Sequence, residues 1–157
     1  MQLNTSTCYA MQVILLLARN REIVSSTELS ELLHISQRYI LQLMGKLRDG
    51  CLISTHHGIN GGCDLSKDAS TISIYDVIEL MEGDMSIPNC FTHKDECGSL
   101  CRSTYLLDSL NYMKDYLDSY LKSITFDKLV DMEISGNLSE ILGIVREHTD
   151  IMKQKSR

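Results

Sequence analysis

The chain has 157 residues, of which 43% are hydrophobic and 23% charged, with a formal net charge of −6 and six cysteines. These values are typical of one globular domain with a buried core and exclude an intrinsically disordered chain. No stretch approaches the roughly 20 consecutive apolar residues of a membrane-spanning helix, and the N-terminus lacks the basic start and cleavage site of a secretory signal, so we expect a cytoplasmic protein.

The charge is unevenly distributed along the chain. Residues 1–67 contain six Lys/Arg and five Asp/Glu, a balance of +1, whereas residues 68–157 contain nine and sixteen, a balance of −7. The N-terminal part is therefore the only one whose electrostatics allow an approach to phosphate groups.

Apolar residues at helical spacing predict three helices in the first 50 residues. The first covers residues 6–19. The second begins after Ser25, which forms a capping box with Glu28. The third, "QRYILQLMGKLRD", begins after Ser36 and ends at Gly50, which suits the C′ position.

A glycine-rich tip between two short strands follows the third helix. The strands "LIST" (52–55) and "CDLS" (63–66) flank "HHGINGG" (56–62), which is typical of a β-hairpin. Two helices joined by a tight turn and followed by a hairpin predict a winged helix-turn-helix. The fold class is thus mostly α with a small β-hairpin wing, and Cys51, at the turn into the first strand, is expected in the core.

A fourth helix covers residues 71–83, with Ser73 and Asp76 as its capping box. A long helix is expected from about residue 102 to residue 124, where apolar residues recur at nearly heptad spacing, as in a helix that packs along a partner. Those apolar residues are Leu106, Leu110, Met113, Leu117, Leu121 and Ile124.

The predicted elements divide the chain into four parts. Residues 1–83 form the winged helix-turn-helix domain and residues 84–101 a cysteine-rich loop. Residues 102–132 form the C-terminal dimerisation helix region, and residues 133–157 form a partly helical tail.

The cysteine-rich loop places Cys90, Cys97 and Cys101 within twelve residues. Cytosolic thiols stay reduced, so such a cluster indicates metal or redox chemistry rather than structural disulfides. Three thiolates suit an iron–sulfur cluster or zinc, and His93 supplies the fourth ligand of a zinc site. A reversible disulfide is a third interpretation, and the spacing leaves all three open.

The sequence resembles the BadM/Rrf family of winged-helix transcription regulators, whose iron–sulfur members include IscR and NsrR. The resemblance covers roughly residues 1–132. It is carried by "YA" (9–10), the segment from "SSTELSELLHIS" to "RYILQLMGKLRDGCLIS" (25–54), "GINGGCDL" (58–65), "TISIYDVIELMEG" (71–83), the three loop cysteines and "ITFDKLV" (124–130).

The resemblance implies a homodimer built on the long helix that binds a palindromic operator in double-stranded DNA. The third helix of each protomer would enter a major groove, and the wing would lie against the backbone or the minor groove. It also implies that the three loop cysteines hold an iron–sulfur cluster, 4Fe–4S or 2Fe–2S, whose state controls DNA affinity.

Two sets of residues are predicted to contact DNA. They are Ser36, Gln37, Arg38, Gln42, Lys46 and Arg48 on the third helix, and His56, His57 and Asn60 on the wing. An Arg side chain forks onto guanine and a Gln amide pairs with adenine, whereas Lys46 and Arg48 are expected to contact phosphates. Several relatives carry an arginine where this chain has His57, which predicts a weaker or pH-dependent wing contact.

The fourth cluster ligand is the point at which the chain departs from the family. IscR-like members place a histidine where this chain has Thr104, a poor iron ligand. NsrR-like members use an acidic residue from the first helix of the partner subunit, and Cys8 occupies the corresponding position here. Cys8 from the partner subunit is therefore the predicted fourth ligand, with His93 as the alternative.

The sequence thus predicts a DNA-binding transcription regulator, most simply a repressor, controlled by a cluster that senses redox state, nitric oxide or iron status. The alternatives are a zinc-bound or thiol-switch regulator of the same fold, or a small iron–sulfur electron carrier. No Ser–His–Asp grouping, phosphate-binding loop or paired-carboxylate motif supports an enzyme.

Overall fold

The computed structural model describes residues 3–58, 61–83 and 104–135. In chain order its elements are α1 (Thr5–Asn20), α2 (Ser26–Leu33), α3 (Gln37–Asp49), β1 (Ile53–His56), β2 (Gly62–Leu65), a 3-10 turn (Ala69–Thr71), α4 (Ile74–Glu82), α5 (Thr104–Ser123) and α6 (Phe126–Ser135). The predicted fold class, mostly α with a hairpin wing, is confirmed.

Serine side chains cap α2, α3 and α4, three of the helices that the sequence predicted. The Glu28 N–H donates to Ser25 Oγ (3.1 Å) at the start of α2. At α4 the full capping box forms, because Ser73 N–H donates to the Asp76 carboxylate (2.7 Å) and Asp76 N–H donates to Ser73 Oγ (3.3 Å). At α2 only the serine half of the predicted box is present in the described residues.

The wing is an antiparallel pair in which Ile53 lies opposite Leu65 and His56 lies opposite Gly62. A further bridge joins the hairpin to the connection between α1 and α2. Val24 and Cys63 exchange two backbone hydrogen bonds, each of 2.9 Å. The second strand of the wing is therefore attached at Cys63 to the helical part and does not stand free.

One core collects the inward faces of the helices and the wing. Its fully buried members include Val13, Ile14, Leu29, Ile40, Leu47, Ile53, Ile72 and Phe126. Burying each such side chain stabilises the fold by about 1.5–3 kcal/mol. Because α3 contributes its apolar stripe to this core, its opposite face is directed to solvent.

The helices that follow the cysteine-rich segment return to the winged domain of the same chain. Phe126 N–H donates to the Ile72 carbonyl (3.0 Å), and Ile74 N–H donates to the Ile124 carbonyl (2.9 Å). Phe126 is also one of the largest fully buried side chains. This anchoring joins α6 to the start of α4.

The predicted heptad seam on α5 divides into two parts. Leu121 and Ile124 are each 8% exposed and pack within the chain, and Lys122 Nζ lies 4.2 Å from the ring centre of Tyr75 on α4. Leu106 and Met113, by contrast, are 50% and 60% exposed. The C-terminal end of the seam is thus buried inside the protomer, Leu110 and Leu117 are partly buried, and Leu106 and Met113 remain exposed.

The turn after α3 differs from the prediction at two residues. Gly50 has φ −82° and is not the left-handed residue; Cys51 is, with φ 56°. Cys51 is also exposed, so its expected place in the core was wrong. The glycine has a packing reason instead, since a Cβ at Gly50 would overlap the side chain of Leu80.

Candidate DNA-binding surface and thiol site

The outward face of α3 presents every helix residue that was predicted to contact DNA. Those side chains are exposed at Ser36, Gln37, Arg38, Gln42, Lys46 and Arg48. The reason is the burial of Ile40, Leu43 and Leu47 on the other side of the helix. Solvent exposure along one face is what a recognition helix requires before it enters a groove.

The start of α3 is held by polar contacts to its own backbone and to α2. Ser36 Oγ accepts from the Tyr39 N–H (3.4 Å). Gln37 Nε2 donates to Ser26 Oγ and to Thr27 Oγ1, each at 3.0 Å. In the free protein Gln37 therefore fixes α3 against α2. The contact of Gln37 with adenine remains a prediction, and it requires the hydrogen bonds to Ser26 and Thr27 to be replaced by hydrogen bonds to the base.

The cations of α3 differ in their availability. Arg48 Nη2 lies 2.9 Å from Asp49 Oδ1, and both side chains are exposed, so this ion pair is weak. Arg38 and Lys46 have no side-chain hydrogen bond or ion pair with any residue in the described ranges. These two charges are the ones directly available for phosphate or base contacts.

On the wing, the two histidines have different surroundings. His56 Nε2 lies 3.0 Å from Asp64 Oδ1, a carboxylate on the facing strand. His57 is exposed, with no side-chain partner in the described part of the chain. The third predicted wing contact, Asn60, lies outside the described residues. Of the two histidines, His57 is thus the one whose side chain is free to meet a DNA backbone.

An open groove of about 350 Å³ separates α3 from the wing. Leu41, Gly45 and Arg48 line it from the helix, and Thr55, His57 and Gly62 line it from the hairpin. Predicted contact residues of both elements border this groove, which gives the DNA-binding surface its concave shape.

The cysteines of the described residues have contrasting environments. Cys8, in the first turn of α1, and Cys51 are exposed free thiols. Cys63 is buried, and burial, reinforced by the negative charge of Asp64, raises the pKa of its thiol to about 11. Cys63 is thus an inert core residue, as expected of a thiol in apolar surroundings.

A carboxylate joins the helix that carries Cys8 to the end of α4. Glu82 accepts hydrogen bonds from the backbone N–H of Asn4 (2.8 Å), from Asn4 Nδ2 (2.6 Å) and from the Thr7 hydroxyl. The cysteine-rich segment begins directly after Gly83. The chain therefore enters that segment from a point fixed against the first turn of α1.

The predicted loop ligands Cys90, Cys97 and Cys101, and the alternative ligand His93, lie outside the described residues. Within residues 3–58, 61–83 and 104–135, no three His, Cys, Asp or Glu side chains are grouped as a metal site. Helices in these same ranges are also too short or too polar to cross a membrane.

Residues 3–132 match the Rrf2 family model, described as an iron-dependent transcriptional regulator. The chain belongs to the Rrf2 family. It is 33% identical over 154 residues to the transcriptional regulator IscR of Escherichia coli, covering 95% of this chain and 89% of that protein. The protein is thus an Rrf2-type winged-helix DNA-binding transcription regulator, and its relatives are regulators rather than enzymes.

Solved structures share the fold of this chain. IscR of T. potens is 24% identical, with a TM-score of 0.64 over 86% of this chain and 90% of that one. CymR of Staphylococcus aureus, solved in an oxidized form, is 26% identical, with a TM-score of 0.64 over 83% and 96%. Both share the winged-helix fold of this Rrf2 protein.

Two residues of these surfaces were missing from the predictions made from sequence. Leu41 lies on the exposed face of α3, and its apolar side chain is out of phase with the buried stripe, a signal that a helical projection of the sequence contains. Glu82 was not identified because its contact with Asn4 joins residues 78 positions apart.

Proposed function

We propose that this Rrf2-family protein is a cytoplasmic, homodimeric repressor that binds a palindromic operator in double-stranded DNA and is controlled by an iron–sulfur cluster. The observation that supports DNA binding is the exposed polar face of α3 beside the wing. Arg38 and Lys46 are free there to meet DNA, Ser36 and Gln42 are also exposed, and His57 lines the groove beside α3.

A second copy of the chain is the proposed partner of α5. Tyr105, Leu106, Tyr112 and Met113 are 86%, 50%, 51% and 60% exposed. They form two pairs, each separated by one heptad, on the part of the helix that the protomer does not use. Two such helices lying side by side would bury these side chains and place two α3 helices on successive major grooves.

The proposed ligands of the cluster are Cys90, Cys97 and Cys101 of one subunit and Cys8 of the partner, with His93 as the alternative to Cys8. The exposed thiol of Cys8 fits this role, because thiolates are the usual ligands of 4Fe–4S and 2Fe–2S centres. When bound, such a cluster supplies a centre that is sensitive to oxidants, nitric oxide and iron supply.

The proposed cluster would act on DNA binding through the placement of the two winged domains. Asn4 and Thr7 bind Glu82, so hydrogen bonds join the first turn of α1 to the end of α4. A ligand set that includes Cys8 of the partner would restrain how the two winged domains lie relative to each other. Ligation changes operator affinity only to the extent that it favours one of these arrangements.

A thiol switch is the second candidate, and the similarity to CymR of S. aureus, solved in an oxidized form, favours it. In this version the cysteines of residues 84–101 form a reversible disulfide and hold no metal. A zinc site made by Cys90, His93, Cys97 and Cys101 is the remaining regulator of the same fold, and membership of the Rrf2 family disfavours the electron carrier.

Anaerobic purification followed by visible absorption and by iron, sulfide and zinc analysis separates these candidates. We expect a coloured protein with iron and sulfide that binds a duplex selected from a random DNA library. A colourless protein with one zinc per chain, or one with no metal and an oxidant-dependent DNA affinity, would contradict the cluster. A coloured protein that selects no DNA sequence would contradict the regulator.

A further inference from the structure

The middle of α3 contains an apolar side chain on its solvent face. Leu41 is 53% exposed, although α3 places Ile40, Leu43 and Leu47 in the core. On the helical surface Leu41 is a neighbour of Arg38 and Gly45, three residues before it and four residues after it. A single exposed leucine is ordinary in itself, so its meaning depends on what surrounds it.

Gly45 is the second unusual residue of this surface. A glycine inside a helix destabilises it by roughly 0.5–1 kcal/mol relative to alanine. Gly50 and Gly62 are required by packing, because a Cβ would overlap Leu80 or the backbone of Val24. At Gly45 a Cβ would meet no atom within 4 Å, and its φ is not positive. Nothing in the described protomer requires a glycine there.

Both residues line the groove between α3 and the wing. In the major groove, thymine is distinguished from cytosine in part by its 5-methyl group, which is read by apolar contact. A position without a side chain lets another molecule approach the helix backbone closely.

We propose that Leu41 reads a thymine by packing against its 5-methyl group, and that Gly45 leaves the space through which that base edge approaches α3. The proposal rests on the placement of α3 in the major groove. Leu41 would then contribute to base specificity through an apolar contact, whereas Arg38 and Gln42 would contribute through hydrogen bonds.

The test uses a duplex selected from a random library by the purified protein, with each thymine replaced in turn by deoxyuridine. This change removes only the methyl group and keeps base pairing. We expect one symmetric pair of thymines at which replacement weakens wild-type binding by about three- to fivefold per half-site. Leu41→Ala should bind the thymine and uracil duplexes equally.

Leu32→Ala is the matched control, since Leu32 is 51% exposed on α2, outside the groove. It should keep the wild-type preference for thymine. If Leu41→Ala remains as sensitive as wild type at every thymine, or if wild type is insensitive everywhere, the proposal is wrong.

Gly45→Ala tests the second half of the proposal independently. We expect this variant to raise the melting temperature, because alanine favours the helix, and to weaken DNA binding, because its methyl group occupies the approach. Higher stability with unchanged affinity would refute the role of Gly45.

Arg38→Ala separates this inference from the proposed function. If Arg38→Ala binds the selected duplex as well as wild type does, the placement of α3 in the groove fails, and the roles of Leu41 and Gly45 fail with it. If Arg38→Ala weakens binding while Leu41→Ala leaves thymine sensitivity intact, only the role of Leu41 fails.

Discussion

The carboxylate of Glu82, at the end of α4, accepts hydrogen bonds from both the backbone N–H and the side-chain amide of Asn4, the N-cap of α1. The Asn4 side chain makes no capping bond of its own to α1, so Glu82 provides a negative charge at this helix N-terminus. The contact joins the helix that carries Cys8 to the residue that precedes Gly83 and the cysteine-rich segment.

Glu82→Gln should lower the melting temperature at neutral pH but leave it unchanged at low pH. Hydrogen bonds from Thr7 and Asn4 lower the pKa of Glu82 below its ordinary value of 4.5. The charge of Glu82 therefore stabilises the fold above about pH 4.5, and this stabilisation is lost as the pH falls through the lowered pKa. Thermal unfolding between pH 7 and pH 3 measures the difference.

Glu31→Gln is the control for this prediction. Glu31 is exposed on α2, and its side chain makes no hydrogen bond or ion pair with the described residues. The melting temperature of the Glu31→Gln variant should equal that of wild type at each pH. A constant difference between Glu82→Gln and wild type down to pH 3 would contradict the predicted linkage.

Cys8→Ala should lower the iron and sulfide content of the anaerobically purified protein and change its visible spectrum, because the proposed cluster loses a thiolate ligand. Cys51→Ala removes another exposed thiol, at the turn after α3, and should leave both unchanged. An unaltered spectrum in Cys8→Ala would exclude this ligand and direct attention to His93.

Mixed dimers determine which subunit supplies Cys8. One subunit carries Cys8→Ala and the other carries Cys90→Ala, so each has one incomplete set of ligands. If Cys8 acts across the dimer, the mixed dimer retains one complete site, whereas each parent homodimer has none. If Cys8 acts within its own chain, the mixed dimer has no complete site. Its iron content should then be as low as that of the two parent homodimers.

His57→Arg should tighten operator binding at pH 8 by about threefold to tenfold, because the exposed imidazole beside the groove is replaced by a permanently charged guanidinium. The gain should shrink as salt rises, as expected of a phosphate contact. Gln12→Arg adds the same charge on α1, outside the surface of α3 and the wing, and should give a much smaller gain. Equal affinities for His57→Arg and wild type would argue against a wing contact.

Cys63 should resist alkylation in the folded protein at pH 8, whereas Cys8 and Cys51 react. Burial raises the pKa of the Cys63 thiol to about 11, so the folded state holds its proton more tightly than the unfolded state does. Its contribution to stability is complete below about pH 8.5 and is lost as the pH rises toward 11. Mass spectrometry after maleimide labelling identifies the protected cysteine.

Cys63→Ala tests the same residue by stability. It should cost about 1 kcal/mol at neutral pH, since a buried atom is removed from the core. Urea unfolding should show that the difference from wild type narrows above pH 9. Rapid labelling of Cys63 under native conditions would be incompatible with its burial in the second strand of the wing.

Met113→Glu should dissociate the proposed dimer. A charge placed on the exposed apolar part of α5 would raise the dissociation constant by about tenfold or more, because it would be desolvated in the interface. Asn111→Glu introduces the same charge at an exposed position on a different side of α5 and should remain dimeric. Sedimentation analysis decides, and a Met113→Glu dimer as tight as wild type would place the interface elsewhere.

The sequence by itself determined the local elements of this protein. The helices follow from their 3.6-residue period and from the serine caps at Ser25, Ser36 and Ser73, and the wing follows from two short strands around a glycine-rich tip. Such signals depend on neighbouring residues alone. The solvent face of α3, and with it most of the predicted DNA contacts, follows from the same period.

The tertiary structure decided what depends on distant parts of the chain. Cys51 and Cys63 are both near the start or end of a strand, yet one is exposed and the other buried, because the bridge to Val24 draws only Cys63 into the core. The heptad seam of α5 divides because Leu121 and Ile124 pack within the protomer, whereas Leu106 and Met113 stay exposed. The link from Glu82 to Asn4 spans 78 positions, and only the packing of α1 against α4 brings these two residues together.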